Sequence, residues 1–117
     1  MIALFLLLGC GGSGDTGAPD TVDQCEDAPV LTWENFGRGF LVENCQSCHG
    51  STAPYRSQTD SPPPDTVTFD TQEQAQSLRA LILAASTGDT PSMPPRGGVS
   101  EVDREKLDIW LNCWEGE

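Results

Sequence analysis

The chain has 117 residues, with 18 acidic and 6 basic side chains, a net charge of −12 and five cysteines. This length allows one domain, and a domain so small often needs a disulfide, a metal or a cofactor to be stable. The acidity argues against nucleic-acid binding, which requires clustered Lys and Arg to neutralise phosphates. No apolar stretch reaches the roughly 18 residues that a membrane span requires.

The N-terminal segment is predicted to export the chain. A short apolar run ends in the letters LLGC at Cys10, directly before a polar stretch of Gly, Ser, Asp and Thr. This ending resembles the bacterial lipobox, which implies that Cys10 receives lipid and becomes the mature N-terminus. We therefore predict a signal peptide over residues 1–10, a flexible tether over 11–24 and a folded domain over 25–117. An ordinary cleaved signal peptide and a buried N-terminal strand are the alternatives.

Three helices are predicted in the folded part. Thr32 caps a first helix that runs to about Asn44. Thr71 opens a capping box and a second helix, which Gly88 ends. Ser100 begins a third helix, whose apolar positions are Val102, Leu107, Trp110, Leu111 and Trp114. Because no alternating strand pattern appears, the predicted fold class is all-α.

The letters CQSCH, from Cys45 to His49, follow the first helix and are the attachment signature of c-type haem. Two thiols on one turn can add to the two vinyl groups of one porphyrin, and the adjacent histidine can bind the iron. Two cysteines at this spacing also occur in zinc knuckles and in thioredoxin-like redox pairs. However, Cys25 and Cys113 form no second pair motif for zinc, and a redox pair would follow a strand. We predict one covalent haem c, attached through Cys45 and Cys48.

Met93 is the only methionine apart from the initiator and lies in the proline-bracketed letters TPSMPP. A lone methionine is usually a core filler. Prolines fix φ and remove hydrogen-bond donors, so this loop cannot be helical and can aim the thioether. Because His49 is the only histidine, two-histidine ligation within the chain is impossible. We predict Met93, rather than water, as the sixth iron ligand, since His/Met pairs are typical of electron-transfer haems.

The segment 50–70 is polar, has three successive prolines and shows no periodicity. A structureless loop of this length is unusual inside a compact domain. If haem is bound, the segment can wrap around it and pack Tyr55 and Phe69 on the ring. The alternative is a disordered surface loop, above all for the proline-rich centre.

Together these features resemble the small monohaem c-type cytochromes, in which a glycine and an aromatic residue lie eight and four residues before the first haem cysteine. Gly37 occupies the first position and Leu41 the second, with Phe40 beside it. The resemblance covers residues 32–49 and 91–114. It implies a cytochrome c-like fold of about three helices wrapped around one haem, and a function in electron transfer with no catalytic residues.

In this family the first and last helices pack together. Once Cys10 carries lipid and both Cys45 and Cys48 carry haem, two thiols remain in an oxidising compartment. We therefore predict a disulfide between Cys25 and Cys113. Two free buried cysteines are the alternative.

The predicted location is the periplasmic or cell-surface side of a bacterial membrane, with the lipid on Cys10 as anchor. From Cys25 onward, 15 acidic residues stand against six basic ones, so the redox partner is expected to present a basic docking surface. One alternative function is a five-coordinate haem sensor or small peroxidase, for which only Arg56 or Arg96 can serve as the distal arginine. The other is a haem-free binding module stapled by zinc, with ligands drawn from Cys25, Cys45, Cys48 and either His49 or Cys113.

Overall fold

All regular structure is helical in the computed structural model, which describes residues 21–113. This part of the chain has six α-helices and no strand, which confirms the all-α class. The α-helices are α1 (Thr21–Glu26), α2 (Arg38–Asn44), α3 (Gln46–His49), α4 (Gln72–Ser77), α5 (Arg79–Ser86) and α6 (Glu101–Cys113). A π-helical turn (Trp33–Gly37) precedes α2, and a 3₁₀ turn (Pro54–Ser57) follows α3. None of the helices in residues 21–113 combines the length and apolar character that a membrane crossing needs.

The helical part begins earlier than the composition predicts. α1 starts at Thr21, so residues 21–24 are helical where we predict flexible tether. The physical reason is a tertiary constraint that composition does not reveal, because α1 carries Cys25 and a disulfide ties that residue to α6. The predicted signal peptide over residues 1–10, with Cys10 at its end, lies outside the described residues.

The predicted first helix is present as one helical run from Trp33 to Asn44. Thr32 caps it, because its hydroxyl accepts from the Asn35 N–H at 3.1 Å and the Asn35 side chain accepts from the Thr32 N–H at 2.7 Å. The first turn is π-helical, with the Gly37 N–H donating to the Thr32 carbonyl at 2.9 Å. This reciprocal cap satisfies backbone groups that a helix start otherwise leaves without partners.

The predicted second helix is present as two shorter helices that meet at Leu78, so the prediction of one uninterrupted helix is wrong. Thr71 caps the first of them by accepting from the Gln74 N–H at 3.2 Å. At the junction Leu78 leaves helical geometry, with φ −105° and ψ 12°. Leu78 still belongs to the hydrogen-bond pattern of both helices, since its N–H donates to the Gln74 carbonyl at 3.1 Å and its carbonyl accepts from the Ile82 N–H at 3.0 Å. Both helices contribute to the core, through Ala75 and Ile82.

The predicted third helix is present as α6, and Ser100 sets its start. The Ser100 hydroxyl accepts from the Asp103 N–H at 3.1 Å and donates to the Asp103 carboxylate at 2.9 Å. The buried apolar positions of α6 are Leu107, Trp110 and Leu111. Val102 is not part of this face, because it lies in the first turn and is 59 % exposed. Trp114 lies outside the described residues.

The core forms where the helical run 33–44 packs on α6. Its buried apolar side chains are Leu31, Phe40, Leu41, Phe69, Ala75, Ile82, Leu107, Trp110 and Leu111. A Cβ atom on Gly37 would lie 2.3 Å from Cζ2 of Trp110, so only glycine permits this approach. The rings of Trp33 and Phe36 each stand 6.2 Å from the Trp110 ring. This aromatic packing fixes the direction of the helix that leads into Cys45.

Candidate cofactor site

α2 leads directly into the turn that holds Cys45, Cys48 and His49. The Cys45 N–H completes α2 by donating to the Leu41 carbonyl at 2.8 Å. The Cys45 carbonyl then accepts from the N–H groups of Cys48, at 3.2 Å, and His49, at 2.8 Å. One backbone carbonyl therefore gathers the three motif residues into a single turn, and both cysteines on it are free thiols.

A disulfide joins Cys25 of α1 to Cys113 of α6 across 88 positions, with the two Cα atoms 5.3 Å apart. This is the pairing that the resemblance implies. A zinc staple would need one of these two sulfurs as a thiolate ligand, so the bond between them disfavours that alternative. No group of three or more His, Cys, Asp or Glu side chains in the described part of the chain is arranged to hold a metal ion.

The Cys45 thiol is held in an environment that suppresses its ionisation. Its side chain packs against the apolar core. Burial, and to a smaller degree the nearby Cys48 thiolate, raises the pKa of Cys45 to about 11. A redox-active cysteine pair depends on a lowered thiol pKa and commonly follows a strand, and residues 21–113 contain no strand. Both features disfavour the thioredoxin-like alternative.

His49 is oriented by a hydrogen bond to the backbone of the segment 50–70. Its Nδ1 lies 3.1 Å from the Val67 carbonyl oxygen. A carbonyl oxygen can only accept, so Nδ1 carries the hydrogen in this contact, and in the neutral ring Nε2 then presents the lone pair. The imidazole also lies beside the buried Phe69 ring, with the two ring centroids 4.9 Å apart. The ring of His49 is therefore fixed on one edge and has a basic nitrogen available on the other.

The segment 50–70 contacts the motif turn near its C-terminal end and is also held together internally. The Gln46 side-chain amide donates to the Phe69 carbonyl, and the Arg56 guanidinium donates to carbonyls in the proline-rich centre. Phe69 is buried, whereas Tyr55 is 42 % exposed. The segment thus forms a strap across the His49 turn, where the alternative prediction has a disordered surface loop.

Met93 lies on a separate loop between α5 and α6, and that loop is held through its backbone. The N–H groups of Ser92 and Met93 donate to the Ala85 carbonyl at 2.8 and 2.9 Å. The Met93 carbonyl accepts from Arg104 of α6 at 2.9 Å, and the same guanidinium nitrogen donates to the Ser86 carbonyl at 2.7 Å. The Met93 residue is 37 % exposed. The structure thus anchors the chain on both sides of the thioether while leaving Met93 partly accessible.

The two arginines considered for a peroxidase lie in different surroundings. The Arg56 guanidinium is engaged with backbone carbonyls and with the Asp65 carboxylate at 3.0 Å. Arg96 is exposed in the loop that follows Met93. A distal arginine needs donors that are free to reach a ligand on the iron, and Arg56 has its donors occupied elsewhere.

Two supporting groups are not found by sequence reasoning, namely the Val67 carbonyl and the Arg104 guanidinium. Every residue carries a carbonyl, so nothing in the sequence singles out the one at Val67. Arg104 occupies an ordinary polar position of an amphipathic helix. Only the fold shows that each of them faces a predicted ligand residue.

Comparison with known proteins adds no assignment. No protein-family model, curated protein sequence or solved structure matches this chain.

Proposed function

We propose that this chain is an exported electron-transfer protein that carries one covalent haem c, with His49 and Met93 as axial ligands of the iron. The hydrogen bond between His49 Nδ1 and the Val67 carbonyl carries the proposal. A metal-binding histidine almost always donates its other ring N–H to a carbonyl, carboxylate or water. Here that bond occurs on the same turn as two free thiols.

The donor set fits such a cofactor. Cys45 and Cys48 would form the two thioether links, and His49 and Met93 would bind the iron. When bound, the haem supplies an iron centre that accepts and releases one electron. A thioether ligand favours ferrous iron, so the Met93 sulfur would raise the reduction potential.

Neighbouring groups orient the residues that would hold the haem. The Val67 carbonyl fixes the orientation of His49 and increases the basicity of its Nε2. The Phe69 ring lies beside the imidazole, and the buried surroundings of Cys45 would place its thioether link against the apolar core. A site preorganised in this way needs little rearrangement when its charge changes.

Location and partner follow from sequence features. Lipid on Cys10 would anchor the protein on the exported side of a bacterial membrane. The excess of acidic residues from Cys25 onward favours encounter with a basic redox partner and opposes encounter with nucleic acid.

Added salt should slow electron transfer to a basic partner, because the screening length is about 10 Å at 0.1 M. Stopped-flow reduction by a basic and an acidic carrier across a salt series measures this effect. Salt-independent rates with both carriers would show that acidity serves solubility alone.

The deciding experiment is expression with export in a host that attaches c-type haem, followed by optical spectra and mass spectrometry of the denatured protein. We expect low-spin bands and one haem retained on the peptide that contains Cys45, Cys48 and His49. The double variant Cys45→Ser/Cys48→Ser is the control and should lose covalent haem. Haem that acid acetone extracts from the unaltered protein would refute the proposal. High-spin bands would instead support the five-coordinate sensor, and a colourless zinc protein would support the stapled binding module.

A further inference from the structure

Arg56 is a largely buried cation whose ion-pair partner lies in solvent. Its side chain is 13 % exposed, whereas the side chain of Asp65, 3.0 Å away, is fully exposed. An ion pair to an exposed carboxylate contributes little to stability, yet burying a guanidinium is costly unless its donors are satisfied. The reason for the position of Arg56 must therefore lie in its other contacts.

Those contacts are backbone carbonyls from two different parts of the chain. The guanidinium donates to the Pro64 carbonyl at 3.2 Å and, over longer distances, to the carbonyls of Pro63 at 3.4 Å and Cys48 at 3.5 Å. Prolines have no N–H, so the three successive prolines cannot donate to one another's carbonyls, and the Arg56 guanidinium supplies donors to this stretch. Arg56 thus bridges the centre of the segment 50–70 and the turn that carries the motif.

The same stretch continues into the group that orients His49. The Val67 N–H donates to the Pro64 carbonyl at 3.0 Å, so Arg56 and Val67 share one acceptor. The Val67 carbonyl in turn accepts from His49 Nδ1 at 3.1 Å. Hydrogen bonds and the backbone of Val67 therefore link Arg56 through Pro64 to His49, and a longer contact of 3.5 Å links Arg56 to the carbonyl of the neighbouring Cys48.

We infer that Arg56 is a positioning residue for His49, because it holds the Pro64–Val67 turn in the place where the Val67 carbonyl accepts the Nδ1 hydrogen. Its effect on the iron rests on the proposed function, whereas its effect on the Val67 turn does not. Removing Arg56 should loosen the turn, weaken the hydrogen bond to Nδ1 and lower the basicity of Nε2. A less basic ligand stabilises ferric iron less, so the reduction potential should rise.

The test compares Arg56→Gln and Arg56→Lys with two controls in the full exported protein. Arg38→Gln makes the same charge change at an exposed position. Asp65→Asn removes the ion pair but leaves the carbonyl contacts. Hydrogen exchange of the Val67 amide and of the His49 Nδ1 proton is measured by NMR in the reduced state, and the potential by redox titration.

In Arg56→Gln, both protons should exchange about tenfold faster, the factor that corresponds to the loss of roughly one hydrogen bond, and the potential should rise. Arg56→Lys should show a smaller change in the same direction, and it is the variant to be read if Arg56→Gln does not fold. The two controls should match the unaltered protein. Unchanged exchange at Val67 and His49 in a folded Arg56 variant would overturn the inference.

Failure of the proposed function has a different signature. If the unaltered protein carries no covalent haem, the potential has no meaning, but the exchange rates at Val67 and His49 still report on Arg56. Faster exchange in Arg56→Gln would then uphold its positioning role in a haem-free protein. Normal exchange would reject that role independently.

Discussion

The two predicted ligand residues are supported in different ways. At His49 the side chain itself is fixed, by the Val67 carbonyl at 3.1 Å and by the neighbouring Phe69 ring. At Met93 the backbone is fixed, by Ala85 and Arg104, while the residue is 37 % exposed. The difference follows from the chemistry of the two side chains. An imidazole has a second nitrogen through which the fold can orient it, whereas a thioether is only a weak acceptor and can be aimed only by placing its backbone.

Replacement of each ligand residue should give the largest contrast. Met93→Ala should keep covalent haem but lose the soft sixth ligand, so the potential falls and exogenous ligands bind. The fall should be a sizeable part of the roughly 0.8 V that axial ligands span. His49→Ala should prevent a stable low-spin product altogether. Optical spectra and redox titration measure both. Unchanged spectrum and potential in Met93→Ala would mean that its sulfur does not bind the iron.

Loss of the Cys25–Cys113 disulfide should lower the stability of the whole fold, and so weaken the support of His49 and of Met93 together. In the chain-entropy model, opening a loop closed by residues 88 positions apart costs about 4–5 kcal/mol as an upper value. The double variant Cys25→Ser/Cys113→Ser should therefore unfold at a markedly lower urea concentration, while the spectrum of the folded fraction stays unchanged. Urea titrations followed by circular dichroism and by haem absorbance give the two readouts. An unshifted midpoint would show that the disulfide contributes nothing to stability.

The variant Arg104→Gln should loosen the loop that carries Met93 and leave the surroundings of His49 unchanged. The guanidinium donates to the carbonyls of Ser86 and Met93, and hydrogen bonds from a charged donor contribute about 1.5–3 kcal/mol. We expect imidazole to displace the Met93 sulfur at a concentration lower by about tenfold or more, with normal hydrogen exchange at the Val67 amide. Arg56→Gln should give the reverse pattern. Equal effects of Arg104→Gln and Arg56→Gln on imidazole binding would show that Met93 and His49 are not supported independently.

The smallest expected effect concerns the haem-free chain. Burial raises the pKa of Cys45 to about 11, and only the thiolate reacts with iodoacetamide. In a haem-free Cys48→Ala variant, Cys45 should therefore react slowly at pH 8 and faster as the pH approaches 11. The urea-unfolded chain, with an ordinary thiol pKa near 8.5, is the control. Equal rates in the folded variant and the urea-unfolded chain at pH 8 would show that the buried surroundings of Cys45 do not form before haem is attached.

The sequence predicts much of the fold because local signals and tertiary packing agree in most of it. Thr32 and Ser100 cap their helices as their side chains indicate, and the buried residues of α6 follow its apolar stripe. The predictions differ from the structure where contacts with residues distant in the sequence determine the local conformation. Leu78 interrupts a continuous periodic pattern, and α1 forms in a polar stretch because Cys25 is tied to α6.

The candidate site is predictable only in its chemical groups. Two cysteines and a histidine can be read from their spacing. Their support cannot, because it consists of backbone carbonyls at Val67 and Pro64 that any residue type would supply. An arginine seven positions after His49 gains its meaning only when the proline-rich segment folds back across the motif turn.

α6 has a consequence for how the molecule responds to thermal motion. Trp110 of this helix packs against Gly37, on the run that leads to Cys45, and Arg104 of the same helix holds the Met93 loop. The two residues lie six positions apart on one rod, a rise of about 9 Å. A displacement of α6 as a rigid helix therefore moves its contact with Gly37 and its contact with the Met93 loop in the same direction. The distance between these two contacts therefore stays nearly constant while the helix moves.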